Sequence, residues 1–206
     1  ILFPTDFSPA AVNAFEYALA LAEDLDATID LMTVYHLPVA DASSVPPQYV
    51  ERMLEEKRQA VGEQVHDFLR SYPPDRIGQT RTDYGVFTYQ EIVDAARQGK
   101  YEFIIMGAKG EHNPVEKLLG SVTTLTMLHA PCPVLAVPAD AKYEPIQHIS
   151  FATDFEPADD QAVQDLFDLS GQLGAAVHFV HVNTEGRDDT DIEDTVLGGE
   201  SPFPFS

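Results

Sequence analysis

Hydrophobic and polar positions along residues 1 to 138 form a pattern that predicts strands and helices in turn. Short apolar runs predict five strands, at 1–3, 29–35, 77–84, 103–106 and 134–137. Amphipathic segments and turn residues predict helices between them, at 9–25, 49–72, 88–99 and from about Gly120 onward. This alternation predicts an α/β fold, a doubly wound, Rossmann-like sheet of five parallel strands with helices on both faces.

Turn and capping residues support these boundaries. Ser8 is a suitable N-cap, and Pro9 fits the first helical position because no hydrogen-bond donor is needed there. Thr88 and Glu91 have the spacing of a capping box, which predicts the start of the third helix. The strand at 77–84 alternates Thr and Arg, which suits an edge strand with one side exposed to water. The apolar face of the first helix comprises Ala11, Phe15, Ala18, Leu19, Ala22 and Leu25.

The opening of the chain recurs after a polar linker at 139–145. ISFATDFEPADD aligns with ILFPTDFSPAAV at a constant offset, so that Thr153 matches Thr5 and Val182 matches Val34. Asp154 and Pro157 match Asp6 and Pro9 in the same register. We therefore expect a complete domain at 1–138 and, at 146–206, a partial second copy that consists of β-α-β and an acidic, flexible tail.

A lone β-α-β unit cannot bury both faces of its own sheet. We expect either that the full protein has two similar domains, the second truncated or degenerate here, or that the half-domain packs on the first domain or on another chain. The N-terminal ILFPTDFSPA lacks the basic segment and cleavage site of a signal peptide. Because the chain opens without Met inside an apolar run, we expect the natural protein to begin a few residues earlier.

A glycine-rich stretch between the fourth strand and fourth helix suggests an anion site. Its spacing is Gly107-x2-Gly110-x9-Gly120-Ser121. Glycines allow close backbone approach to an anion, and a helix amino terminus offers free N–H groups and a partial positive charge. The alternative is that the glycines only close a tight turn between the strand and the helix, with no ligand. In doubly wound sheets ligands bind at the carboxyl ends of strands, where the Thr5-Asp6 turn also lies, so both segments should line one crevice.

Charge and composition exclude several partners. Of 206 residues, 34 are acidic and 12 basic, giving a net charge of −22, which argues against nucleic acid and anionic membranes. No apolar run is long enough to span a membrane. The single cysteine, Cys132, excludes an internal disulfide and suggests a cytoplasmic protein, and a buried packing role suits it better than a reactive one.

The motifs PTDFS, IIMGAKG and CPVLAVP, with the glycine spacing, resemble the universal stress protein family. The resemblance covers 1–138 and recurs in 146–183, as in tandem two-domain members, and the glycine spacing is that of the ATP-binding branch. It implies that Pro4, Thr5 and Asp6 line the adenosine, with Asp6 near the ribose or its metal, and that Val34 contacts adenine. It implies phosphate or ribose contacts for Met106, Gly107, Gly110, Gly120, Ser121 and Val122.

The resemblance also implies dimerisation or domain pairing through the strand Val134–Val137. The family often has a small or basic residue after its second glycine, whereas this chain has Glu111 and then His112, a departure that bears on the affinity more than on binding itself. ATP is the expected ligand, and any Mg²⁺ would arrive with its phosphates, because no protein metal site is predicted. The second copy shows no glycine loop and is assigned no nucleotide.

Catalytic chemistry is not predicted. Ser121 has no paired base, and the seven histidines show no metal-binding spacing. Lys109 and Lys117 flank the glycine loop, where solvated lysines are the default, and Asp6 could simply cap a turn. The favoured function is a nucleotide-dependent regulatory or binding module. The alternative is a weak ATPase or nucleotidyl-handling enzyme, whereas an NAD or FAD enzyme is disfavoured because the first turn lacks G-x-G-x-x-G.

Overall fold

A computed structural model describes residues 1–37, 46–108, 120–153 and 160–180, and the chain divides into two compact units, 1–145 and 146–206. The first unit contains five strands and four helices in alternation, with one turn of 3₁₀-helix at Pro74–Arg76 before the third strand. They are β1 (Leu2–Pro4), α1 (Pro9–Asp24), β2 (Ile29–Tyr35), α2 (Pro47–Leu69), β3 (Ile77–Tyr84), α3 (Thr88–Gly99), β4 (Ile104–Ala108), α4 (Ser121–His129) and β5 (Val134–Pro138).

The five strands form one parallel sheet in the order β3-β2-β1-β4-β5. The predicted fold class is therefore confirmed, and 77–84 lies at an edge, as its polar alternation indicated. β1 is central, and the chain leaves it toward β2 and β3 on one side and returns to β4 and β5 on the other. The order reverses between β1 and β4, which is where doubly wound sheets bind ligands.

Each face of the sheet packs against two helices. Phe3 of β1 is fully buried and contacts Phe15 of α1, with 5.0 Å between ring centroids, and Phe15 contacts Phe68 of α2 at 5.1 Å. Successive strand residues point to opposite faces, so Leu2 lies on the other side. There it joins an apolar cluster with α3, which comprises Leu2, Met32, Ile92, Ala95, Ala96, Ile104 and Met106. Cys132 is partly buried against this cluster, as a packing role requires.

Some local predictions were wrong. Thr88 and Glu91 do not form a capping box, because α3 is preceded by Phe87 and has no side-chain cap. The Thr88 hydroxyl instead lies 3.0 Å from the ring of His36. α3 does end at Gly99, as predicted, and Lys100 after it adopts a left-handed conformation with φ of 51°. α2 begins at Pro47 and ends at Leu69, a few residues earlier than predicted at both ends. In α1 the buried positions include Ala14 and Leu21, while Leu19 and Leu25 are only partly buried.

The segment after β5, predicted as a linker, packs on α1. The Asn13 side chain donates to the carbonyls of Pro138 and Ala141, at 3.1 and 2.9 Å. The Tyr143 hydroxyl donates to Asp24, and its ring meets Tyr17 edge-on. These contacts fix residues 138 to 143 on the first unit.

The second unit repeats the start of the first in structural detail. It contains β6 (His148–Ala152), α5 (Asp160–Leu173) and β7 (Ala176–Val180), and β6 pairs with β7 in parallel. Phe151 pairs with Phe179, just as Phe3 pairs with Leu31. The helix in each copy is followed by a left-handed residue, Asp26 in one and Gly174 in the other. Thus the offset that aligns the sequences also aligns their strand register. Asp154, Pro157, Val182, His181 and the predicted acidic tail lie outside the described residues.

Asp30 holds together the amino-terminal edge of the main sheet. One carboxylate oxygen accepts from the Tyr101 hydroxyl at 2.7 Å, and the other accepts from the backbone N–H of Gln79, also at 2.7 Å. Burial, strengthened by the hydrogen bond to Asp30, raises the pKa of Tyr101 to about 12. The contact joins β2 to β3 and to the segment before β4.

The pKa of Tyr101 in the folded chain lies above that of an unfolded tyrosine. The free energy of unfolding should therefore depend on pH in the alkaline range. Above about pH 10 the unfolded chain loses this proton while the folded chain keeps it, so the free energy of unfolding falls as pH rises toward 12. We expect Tyr101→Phe to reduce this fall. Some of the fall should remain, since burial also raises the pKa of Tyr143. Urea denaturation at neutral pH and near pH 11 checks this, and an equal loss of stability in variant and wild type would contradict it.

Candidate functional site

A cavity of 340 Å³ opens at the carboxyl ends of the central strands. Its volume lies within the range of small-molecule sites, about 300–1,000 Å³. β1, β2 and β4 contribute their ends, and α1, α3 and α4 contribute their amino termini. The lining residues are Pro4, Thr5, Asp6, Ser8, Ala10, Ala11, Met32, Val34, His36, Thr88, Ile92, Met106, Gly107, Gly120, Ser121, Val122 and Thr123.

The turn after β1 is built by its own side chains. The Thr5 hydroxyl accepts from the backbone N–H of Phe7 at 3.0 Å, and the Asp6 carboxylate accepts from that of Ser8 at 3.0 Å. Ser8 in turn caps α1 through Ala11. Phe7 has a φ of 58°, unusual for a bulky residue, and its ring packs on Phe68 at 5.5 Å. Asp6 therefore stabilises the turn and also faces the cavity.

The amino terminus of α4 faces the cavity without a side-chain cap. Gly120 precedes the helix with φ of 71° and ψ of 151°, a conformation essentially restricted to glycine. The first N–H groups of a helix have no acceptor within it, and here they belong to Ser121, Val122 and Thr123. The Gly120 carbonyl accepts from Thr124 at 3.1 Å, which fixes the turn. This arrangement is suited to binding an anion through backbone amides.

Gly107 plays a different part from Gly120. A Cβ at Gly107 would lie 2.8 Å from the backbone oxygen of Ala10, whereas a Cβ at Gly120 would meet no atom of the described residues within 4 Å. Tight packing of β4 on α1 thus requires glycine at 107, whatever binds nearby. Its carbonyl also accepts from the Thr123 hydroxyl at 3.4 Å.

Nine of the ten residues predicted for the site line this cavity, and Gly110 lies outside the described residues. Lys109, Glu111, His112 and Lys117 also lie outside them. Val34 and Met106 form part of the apolar floor, next to Met32 and Ile92. The structure thus brings together three separate segments of sequence at one crevice.

His36 and Thr88 line the cavity but were not singled out from the sequence as site residues. His36 directly follows β2, and the carboxyl end of a central parallel strand was the signal that could have identified it. Thr88 has the local sequence pattern of a helix cap, and that pattern carries no signal of a place in the cavity lining.

The described residues that line the cavity include only one with a carboxylate or a permanently charged side chain. They include no lysine or arginine, and Asp6 is their one carboxylate. Within the described parts of the chain, no three His, Cys, Asp or Glu residues lie together in a way that could hold a metal ion. Nor is any described helix both long and apolar enough to cross a membrane. Among the described lining residues, the groups that carry partial positive charge toward an anion are therefore the backbone amides at the helix amino termini.

Comparison with known proteins matches residues 1–138 to the model of the universal stress protein family. Universal stress protein A homolog 1 of Coxiella burnetii is 32% identical over 142 residues, covering 66% of this chain and 94% of that protein. Universal stress protein MJ0531 of Methanocaldococcus jannaschii is 27% identical over 139 residues, covering 66% and 80%. A universal stress protein structure from Archaeoglobus fulgidus shares the fold with a TM-score of 0.64 and 23% identity, covering 97% of this chain and 74% of the other.

Proposed function

The chain belongs to the universal stress protein family, and we propose that its first domain binds an adenine nucleotide, ATP, in the cavity at the carboxyl end of the sheet. One observation carries the proposal. The uncapped amino terminus of α4 and the apolar floor at Val34 lie on one continuous cavity. A nucleotide has the matching parts, an anionic phosphate chain and a flat, largely apolar base.

The phosphates bind at α4 in this proposal. The amides of Ser121 and Val122 and the Ser121 hydroxyl donate to phosphate oxygens, and the helix dipole favours the negative charge. No described atom lies within 4 Å of the position that a Cβ on Gly120 would take. Gly110, which the spacing motif adds, would belong to the same loop. Any Mg²⁺ is carried by the phosphates themselves.

The adenosine lies along β1 and β2. The ribose side is lined by Pro4, Thr5 and Asp6. One Asp6 carboxylate oxygen accepts a hydrogen bond from the turn, and the other can accept one from a ribose hydroxyl. Val34, Met32 and Ile92 offer apolar contact to the base. Met106 and Gly107 pass beneath the ribose and phosphates.

We propose that the protein acts as a cytoplasmic regulatory module of the tandem two-domain type rather than as an efficient enzyme. The strand register shared by the two copies supports the tandem arrangement. β5 lies at an edge of the five-stranded sheet, so Val134–Val137 is available to pair with a second copy or domain. We assign the second copy a structural or partner role without a nucleotide.

The alternative function is slow ATP hydrolysis. Phosphoryl transfer needs a cation to stabilise the transition state and a residue that positions water. No described residue of the cavity lining is a lysine or arginine, which disfavours rapid turnover.

The nucleotide that the full chain carries through purification separates these functions. The protein is denatured and the released small molecules are resolved on an anion-exchange column. Retained ATP supports the binding module, and retained ADP followed by phosphate release from added ATP supports hydrolysis. If neither is retained and added ATP does not bind, both functions are contradicted.

A further inference from the structure

His36 occupies a defined position on the cavity wall. Its Nδ1 lies 2.5 Å from the backbone oxygen of Gly85, and its Nε2 lies 3.0 Å from the Thr88 hydroxyl oxygen. Gly85 forms the turn after β3, and Thr88 begins α3. His36 and Thr88 both line the cavity.

These two contacts determine which nitrogen carries the proton. A carbonyl oxygen can only accept, so Nδ1 must be the donor to Gly85. In the neutral ring Nε2 is then unprotonated and accepts from the Thr88 hydroxyl. The other tautomer, with the proton on Nε2, would lose the hydrogen bond from Nδ1 to the Gly85 carbonyl. Because the Thr88 proton is directed at the single lone pair of Nε2, the Thr88 hydroxyl oxygen remains as a hydrogen-bond acceptor on the cavity wall.

The pair lies far from the anion-binding end of the cavity. In the sheet β2 and β4 are separated by β1. Adjacent strands are about 4.8 Å apart, so the end of β2 lies roughly 10 Å from that of β4, beside which α4 begins. With phosphates at α4, the base reaches the end of the cavity that holds Val34, His36 and Thr88.

We propose that His36, assisted by Thr88, determines nucleobase specificity by favouring the amino group of adenine over the carbonyl of guanine. Adenine can donate from its exocyclic amine to the Thr88 hydroxyl oxygen, whose proton His36 holds at Nε2. Guanine places an acceptor oxygen at the equivalent position, against the lone pairs of the Thr88 oxygen. The inference rests on the proposed nucleotide site and adds the element that selects the base.

A purely structural role would use the same hydrogen bonds. The His36 ring fastens the end of β2 to the turn between β3 and α3, so its loss would lower stability in either case. Only the specificity role changes the ratio of ATP to GTP affinity. That ratio is therefore the quantity to measure.

The test compares dissociation constants for ATP and GTP by calorimetry on the full chain. We expect wild type to bind ATP at least about tenfold more tightly than GTP, the effect of one well-placed hydrogen bond. His36→Gln, whose amide can both donate and accept, should bring the ratio close to one. His66→Gln, at an exposed histidine of α2 outside the cavity, should leave the ratio unchanged.

A nucleotide analogue provides a test that does not depend on the folding of any variant. Purine riboside triphosphate lacks the exocyclic amine, so wild type should bind it about tenfold more weakly than ATP. Equal affinity for the two, or an ATP-to-GTP ratio that His36→Gln leaves unchanged, would overturn the role of His36 while nucleotide binding stands. If wild type binds no nucleotide at all, the proposed function itself fails and the inference fails with it.

Discussion

Replacing Gly107 by alanine is expected to destabilise the first domain by about 2–3 kcal/mol. In a strand, Gly→Ala is ordinarily favourable, because it restricts the unfolded chain and supplies a side chain. Here the added Cβ would lie 2.8 Å from the backbone oxygen of Ala10 and 2.9 Å from its carbonyl carbon. Neither atom can move without displacing the start of α1 from the sheet, so the sign of the effect reverses.

Chemical denaturation of the two proteins measures this difference. Gly62→Ala is the matched control, because Gly62 lies inside α2 and a Cβ there meets nothing within 4 Å. That control should gain about 0.5–1 kcal/mol. If Gly107→Ala were neutral or stabilising, the close packing of β4 on α1 would not be the reason for glycine at this position.

Changing Gly120 to aspartate is expected to abolish ATP binding while leaving the domain folded. Gly120 directly precedes the α4 amides and lines the cavity, so an aspartate there places a carboxylate close to the proposed phosphate position, and no described atom lies within 4 Å of its Cβ. Two like charges at about 4 Å cost about 4 kcal/mol near a protein surface, so the affinity should fall at least a hundredfold. The positive φ of Gly120 adds strain of about 1–3 kcal/mol, which lowers stability without unfolding the sheet.

The comparison for this variant is Gly62→Asp, which makes the same change on the outer helix α2. Calorimetric titration with ATP and a circular dichroism spectrum should be recorded for both. We expect native spectra for both and lost binding only for Gly120→Asp. Normal ATP affinity in Gly120→Asp would mean that the α4 amino terminus is not the phosphate site.

The main fold could be predicted from sequence because its signals are local and repeated. Apolar runs and 3.6-residue patterns alternate, and parallel β-α-β units admit few arrangements. The duplication provided an independent check, since Phe151 and Phe179 pair as Phe3 and Leu31 do.

What the sequence could not indicate depends on distant neighbours. A Cβ at Gly107 would clash with Ala10, which lies nearly a hundred residues away in the sequence. The motif alone therefore could not show whether packing or the approach of a ligand requires glycine at this position. Thr88 has the local pattern of a cap, but its hydroxyl meets His36, which comes from another strand. Asp6 could be assigned either to a turn or to a ligand, and its bond to Ser8 shows that it serves the turn.

The most direct test of the account is the stoichiometry of ATP binding to the full chain after removal of any nucleotide retained through purification. Because the described part of the second copy repeats only the first strand, helix and second strand and includes no counterpart to the α4 amino terminus, isothermal titration should show one saturable site per chain. That site should be lost in Gly120→Asp. Absence of saturable binding, or a site that survives this substitution, would contradict the account.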